Sequence, residues 1–379
     1  MKKADRRFTS VEVCAGAGGQ AVGLHQAEFR HLALIEIDED ACNTLRANVQ
    51  RKWKDCHVLK RDLKKFNVSE LGLRRGQLDL LAGGVPCPPF SVAGHQLGPN
   101  DERDLFPDML SMVEKLQPKA VMIENVRGLV HERFHVYRQS ITRRLKRAGY
   151  EICMWDVMEA HHYGVPQLRP RAILVAMRPE YAKHFKKPAP SGEKPVTVGD
   201  ALWRTMRERF KNSGNPDWKT AYQKWHRAAK KDIAPTLVGG SKKHGGADLG
   251  PTRAKRAWGQ LKIDGMGVAN DPDQMIDPER DLYGERGPKL TVRQAAIIQG
   301  FPKDWKFTGK KTAAYRQVGN AFPPPVARAV GEQIREALKA AFQNQVPEAV
   351  LFELSAQGSP RGGPALSNDS ADPVCAGVG

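Results

Sequence analysis

Along residues 1–180 short apolar runs alternate with amphipathic stretches, the pattern of a parallel sheet whose strands are joined by crossover helices. Residues 10–14 (SVEVC) and 32–37 (LALIEI) read as the first two strands, with 56–59 a weaker third. Residues 78–82 (LDLLA) and 120–123 (AVMI) follow, apolar enough for burial on both faces. Residues 104–116 carry a helical pattern that Pro118 ends. Two further strands, 151–158 and 171–177, flank a loop at 163–167. The expected fold class is α/β, with a doubly wound sheet.

The alternation stops after Arg178. From there to Lys289 the chain is basic, rich in Gly and Pro, and carries Trp203, Phe210, Trp218, Tyr222 and Trp225. Residues 181–289 therefore read as a second, smaller domain of irregular loops. Helical periodicity returns at 291–299 and 326–342. The last stretch, 346–379, is rich in Gly, Ser, Pro and Ala and is expected to be a disordered tail.

Charge adds a partner to this picture. Sixty Lys and Arg against 42 Asp and Glu leave a net charge of +18. Residues 182–256 alone hold 18 basic and 6 acidic side chains, a net of +12. Such a patch favours a polyanion, because neutralising phosphates releases condensed counterions. The cluster Arg143, Arg144, Lys146 and Arg147 lies on a helical pattern and reads as a solvated face. Six cysteines show no CxxC pair and no zinc-ligand spacing, so no metal is expected. Met1-Lys2-Lys3 leads into no apolar stretch, and no segment reaches the ~18 apolar residues of a membrane span. The expectation is a cytoplasmic protein with reduced thiols and no membrane partner.

Candidate chemistry gathers at the strand ends. The fourth strand runs through Gly83-Gly84 into Pro86-Cys87-Pro88-Pro89-Phe90-Ser91. Open α/β sheets place ligands outside such carboxyl ends, and the prolines restrict the loop. Cys87 is thus either a small buried residue beside a turn or a nucleophile held in line of attack. After the first strand comes Ala15-Gly16-Ala17-Gly18-Gly19, a turn that lets a ligand approach backbone N–H groups at a helix start. Glu36 lies 20 residues after Gly16, where a carboxylate can accept both hydroxyls of a ribose. The turn is GxGG rather than GxGxxG, which suits an adenosine carrying an amino acid as well as it suits a dinucleotide. Asp62, past the third strand, is either an acceptor for an adenine amine or a solvated acid. Glu124-Asn125-Val126 closes the fifth strand, and a carboxylate there needs a partner. Arg169 and Arg171 either pair with Glu124 or bind an anionic or carbonyl substrate.

Read in order, these pieces resemble the DNA (cytosine-5)-methyltransferases. The likeness rests on Gly16–Gly19, Glu36 with Asp38, Gly83-Gly84-Val85-Pro86-Cys87, Phe90-Ser91, Glu124-Asn125-Val126 and Gln167-x-Arg169-x-Arg171. It continues through Gln299-Gly300-Phe301-Pro302 and Gln317-Val318-Gly319-Asn320-Ala321. Pro88 stands where the family more often has Gln, which bears on loop detail and not on the nucleophile. The resemblance implies a Rossmann-like S-adenosylmethionine-dependent core, 1–180, completed by 290–345, with 181–289 as target-recognition domain. It implies double-stranded DNA as partner, S-adenosyl-L-methionine as cofactor and a flipped cytosine as substrate.

Implied catalytic residues are Cys87, Glu124, Arg169 and Arg171; Arg171, with Arg169 in support, would hold the ring carbonyl and orient Glu124. Implied cofactor residues are Cys14, Gly16, Gly18, Gly19, Glu36, Ile37, Asp62, Pro86 and Asn320. DNA contacts are expected from Ser91, Arg204, Arg207, Arg253 and Arg256, and residues 91–103 resemble a loop that closes over DNA. A monomeric, nucleoid-associated enzyme is expected, with a cognate restriction endonuclease acting on the same site. A tRNA cytosine methyltransferase on the same core is the alternative, and the roughly 110 residues between Arg178 and Lys289 favour DNA. A zinc deaminase fails because Phe90 stands where its second cysteine must be. A non-enzymatic DNA-binding module would not need Cys87, Glu124 and Glu36 together.

Overall fold

The computed structural model describes residues 7–53, 55–86, 104–239 and 247–345. Cys87, Ser91 and the rest of 87–103 lie outside the described residues, as do 240–246 and 346–379.

Seven strands form one sheet: β1 Thr9–Val13, β2 Arg30–Glu36, β3 His57–Lys60, β4 Leu80–Gly83, β5 Ala120–Val126, β6 Glu151–Glu159 and β7 Pro170–Met177. Their order is β3-β2-β1-β4-β5-β7-β6, parallel except for β7, which runs antiparallel to both neighbours. All seven coincide with expected strands to within three residues. The order reverses between β1 and β4, so the crevice between their carboxyl ends is where such sheets take ligands.

Side-chain alternation divides the core. Leu80, Ala82, Met122, Ile173 and Val175 face one layer with α1 Gly19–Gln26 and α11 Pro324–Gln345. Leu81, Val121, Ile123 and Leu174 face the other with α3 Phe106–Leu116 and α4 His135–Arg147. Asp79, 1 % exposed beside β4, is matched by the Thr9 amide and hydroxyl and by Lys119 Nζ at 2.6 Å. That explains an acid in an otherwise apolar run. α11 returns to α1, and Phe342 stacks on Phe8 with ring centroids 5.8 Å apart. Asp38 caps α2 Glu39–Lys52 by accepting from the Ala41 amide, with Glu39 and Asp40 in the first turn.

The second segment differs from its expected irregularity. After the short α5 Pro179–Ala182 it forms α6 Val198–Lys211, α7 Trp218–Ala229 and α8 Thr252–Gln260. Val198, Leu202, Met206 and Phe210 recur every fourth residue and are buried against Trp225, Ala229 and Trp258. This core continues into α2, α9 Val292–Ile298 and α10 Lys311–Asn320. Arg209, 2 % exposed, donates to Lys289 O and Gln294 Oε1, fixing α6 on the capping box that opens α9.

Candidate active site

Two carboxylates stand at the crevice, one on each side of β1 and β4. On the β2 side Glu36, 8 % exposed, accepts from the amides of Gly16 (2.7 Å), Ile37 (2.8 Å) and Asp38 (2.8 Å). It thereby pins the turn after β1 to the end of β2. Gly16 has φ +53, and a Cβ there would meet nothing within 4 Å, so the turn borders open space. Cys14, also at positive φ, precedes it. Gly18 caps α1 from the left-handed region, and Trp305 Nε1 donates to Ala17 O from above. Ala321 and Phe322 press on Gly19, where a Cβ would lie 2.2 Å from Phe322 O. Asn320 is thereby brought one residue from the turn and lies against Gly239. Ile37 is 61 % exposed, an apolar side chain left uncovered at the strand end. Asp62 accepts from the Lys64 amide and caps the short helical turn after β3.

Glu12 on β1 was not singled out in the sequence. It is 1 % exposed, and its Oε2 has no hydrogen-bond partner. Burial first, then the nearby Glu36, pushes its carboxyl well above the ordinary value, so it holds its proton. The available signal was an acid in the middle of an apolar central strand.

On the β5 side Glu124 Oε1 takes Arg171 Nε at 2.8 Å, with side chains 14 % and 13 % exposed. Glu124 Oε2 lies over Gly84, where a Cβ would come within 3.0 Å of it. The missing side chain of the glycine that follows β4 is the space that this carboxylate occupies. Burial pushes Glu124 up from the ordinary carboxyl value, while Arg171 and then Arg169 pull it back. Asn125, 6 % exposed, donates to Val85 O at 2.8 Å and so ties the end of β5 to the strand that leads to Pro86. Its adjacency to Glu124 was the sequence signal; its role needed the pairing of β4 with β5. Pro86 is exposed, and its carbonyl accepts from Leu105 at 3.2 Å, joining the two stems of 87–103.

Arg169, which faces Glu124 and Arg171, turns its donors away from them. It is 1 % exposed, and its hydrogen bonds run to the carbonyls of Leu237, Gly319 and Ala321 rather than toward the crevice. Arg204 and Arg207 are exposed on α6, their guanidinium groups 5.3 Å and 5.9 Å from the ring centroids of Trp203 and Trp218. Arg253 and Arg256 are exposed on α8.

The four described cysteines, Cys14, Cys42, Cys56 and Cys153, are free thiols. Burial pushes Cys56 up to about 12, and Cys42 and Cys153 up to about 11. Cys14 goes higher still, by burial and then by Glu36 and Glu12. None of these four is suited to thiolate chemistry near neutral pH. A cavity of about 1040 Å³ lies elsewhere, between α2, residues 269–274, α9 and residues 301–309. Neither Glu36 nor Glu124 lines it. No described helix is long and apolar enough to cross a membrane.

Residues 8–336 match the family model described as C-5 cytosine-specific DNA methylase. The chain is 49 % identical over 329 residues to Type II methyltransferase M.NaeI of Lentzea aerocolonigenes, covering 86 % of this chain and 75 % of that one. It is 47 % identical over 337 residues to Type II methyltransferase M.NgoMIV of Neisseria gonorrhoeae, covering 88 % and 99 %. Among solved structures, the Entamoeba histolytica methyltransferase EhMeth superposes with TM-score 0.58 at 15 % identity, covering 88 % of this chain and 99 % of that one. At that identity the likeness concerns the fold.

Proposed function

The chain belongs to the C-5 cytosine-specific DNA methylases, and on that premise we propose that it methylates carbon 5 of a cytosine turned out of duplex DNA, through a covalent adduct with Cys87. It is a DNA cytosine-5 methyltransferase of the type II restriction–modification kind. The observation that carries the mechanism is the Glu124–Arg171 pair, nearly buried beside the strand that leads into the Cys87 loop.

The methyl donor in this reading is S-adenosylmethionine, and the residues at the β1–β2 ends suit it. Glu36 would accept the ribose hydroxyls, Ile37 would cover a face of the adenine, and Asp62 would take its amine. The open space at Gly16 and the amides that start α1, at Gly19 and beyond, would receive the amino-acid carboxylate. Cys14, Gly18, Pro86 and Asn320 would border the same pocket. When bound, this cofactor supplies an electrophilic methyl group.

Within the stack the reacting edge of cytosine is out of reach, and turning it out costs about a few kcal/mol. Carbon 5 is by itself a poor nucleophile. The Cys87 thiolate forms a bond to carbon 6, and the displaced electron pair makes carbon 5 enamine-like. Glu124 donates its proton or a hydrogen bond to ring nitrogen 3, where the charge develops. Its raised proton affinity suits that task. Arg171 holds Glu124 and reaches the ring carbonyl with its remaining N–H groups. Once carbon 5 carries the methyl group, a bound water takes its proton, the carbon 6–sulfur bond breaks to release the Cys87 thiolate, and nitrogen 3 returns its proton to Glu124.

Residues 1–180 with 290–345 serve as the catalytic and cofactor unit in this reading, and 181–289 as the recognition unit. Arg204, Arg207, Arg253 and Arg256 are its exposed candidates for phosphate and base contacts. The expected working form is a monomer on DNA in the cytoplasm, with a cognate endonuclease reading the same site. An RNA acceptor is not favoured, because relatives at 47–49 % identity are type II methyltransferases. The test is expression in a host without cytosine methylation, with base-resolution mapping of 5-methylcytosine. Methylation at a fixed sequence is expected, lost in Cys87→Ala. A duplex with 5-fluorocytosine at that site should trap a covalent adduct, and an active enzyme that traps none through Cys87 rules this mechanism out.

A further inference from the structure

Arg169 joins parts of the chain that lie far apart in sequence. One Nη donates to Leu237 O at 2.7 Å, and the other to Gly319 O at 2.8 Å and Ala321 O at 2.9 Å. These acceptors belong to the stretch after α7 and to the junction of α10 with α11. A buried guanidinium is costly unless its N–H groups are matched, so this fork closes favourably only with both stretches seated.

The surroundings repeat the same connections. Gln167, fully buried, donates to Gln299 Oε1 at 2.7 Å and accepts from the Leu237 amide at 2.7 Å. Gln299 donates in turn to Ala321 O. Leu168 N donates to Ala234 O at 2.8 Å, and Ala234 N to Pro166 O at 3.1 Å. Two residues beyond Arg169, on the same backbone, Arg171 grips Glu124. The charged groups that face Glu124 are Arg171 and Arg169, and those that face Arg169 are Arg171, Glu124 and the Tyr315 hydroxyl of α10.

We propose that Arg169 is a positioning residue for methyl transfer, a tie that holds Glu124 in its working orientation and charge environment only while the recognition segment and the α10–α11 junction are seated. The inference rests on the reading of Glu124 as the acid at ring nitrogen 3. It assigns Arg169 no contact with the base, and it makes the support that the family resemblance implies depend on the seating of two distant stretches.

The test compares Arg169→Met, which removes charge and fork, with Arg169→Lys, which keeps the charge and loses the fork. Single-turnover and steady-state methyl transfer to unmethylated genomic DNA are followed as a function of pH, with folding checked by circular dichroism. A protonated Glu124 is needed, so activity falls as pH rises through its proton affinity. Arg169 pulls that affinity down, so Arg169→Met should move the falling limb to higher pH. Arg169→Lys should leave the limb in place and lower kcat by roughly tenfold or more, with KM for DNA near wild type.

A limb that stays put in folded Arg169→Met, or a wild-type kcat in Arg169→Lys, overturns the proposal. If Arg169→Met does not fold, the kcat of Arg169→Lys decides. Glu124→Gln separates the two layers: a variant that keeps both turnover and the limb removes the acid reading itself. One that loses them, beside an unmoved limb in Arg169→Met, removes only the role of Arg169.

Discussion

Glu36 and Glu124 are both acids at the carboxyl ends of parallel strands, yet their neighbourhoods are opposite in kind. Three backbone amides at 2.7–2.8 Å fix Glu36, and backbone donors cannot swing away when a ligand arrives. Glu124 is held by a side chain, and burial and two arginines pull its proton affinity in opposite directions. One side of the crevice is built to hold an acceptor still. The other, in the proposed mechanism, gives and takes back a proton. The lesson is that a strand-end carboxylate is read by its donors, not by its position.

The largest effect should come from breaking the proton-transfer side. Glu124→Gln keeps the size of the side chain but cannot exchange a proton, and the rate of methyl transfer should fall by about 10²–10⁴-fold in single-turnover assays. Cofactor affinity, measured by calorimetry, should not change. Glu36→Ala is the converse. It removes charge-assisted hydrogen bonds worth about 1.5–3 kcal/mol, so S-adenosylmethionine should bind roughly 10- to 100-fold more weakly. Turnover at saturating cofactor should be largely kept; equal loss of kcat would merge the two sides.

Gly84→Ala tests the boundary. Its Cβ would press within 3.0 Å of Glu124 Oε2, so the carboxylate must shift by a few tenths of an ångström. A several-fold loss of kcat is expected, without change in cofactor affinity. Glu12→Gln should have the smallest effect on turnover and a readable one on stability. The folded protein keeps a proton on Glu12 that the unfolded chain releases above its ordinary value of 4.5. Stability of the wild type therefore falls as pH rises from 4.5 toward the folded value, and the glutamine variant lacks that loss. Urea unfolding of both proteins across that range checks the sign.

The sheet was legible because its strands are short apolar runs bounded by glycines and prolines, and because Glu36 and Glu124 end two of them. The helical second segment was less so. Its stripe of Val198, Leu202, Met206 and Phe210 is present in the sequence, but the surrounding lysines and arginines draw attention to charge before period. Phe210 and Trp225, which fall in the stretch expected to be irregular loops, are core residues at 1 % and 3 % exposure. Arg169 was legible as a site-adjacent residue and illegible as a tie, since its acceptors lie 68, 150 and 152 residues away. Asn125 belongs to the same class, because Val85 becomes its neighbour only once β4 and β5 pair.

The stacking of Phe8 on Phe342 brings the outer margins of the folded core side by side. A short peptide bridging those margins would make the polypeptide topologically circular, and it could then be reopened within an exposed connection elsewhere.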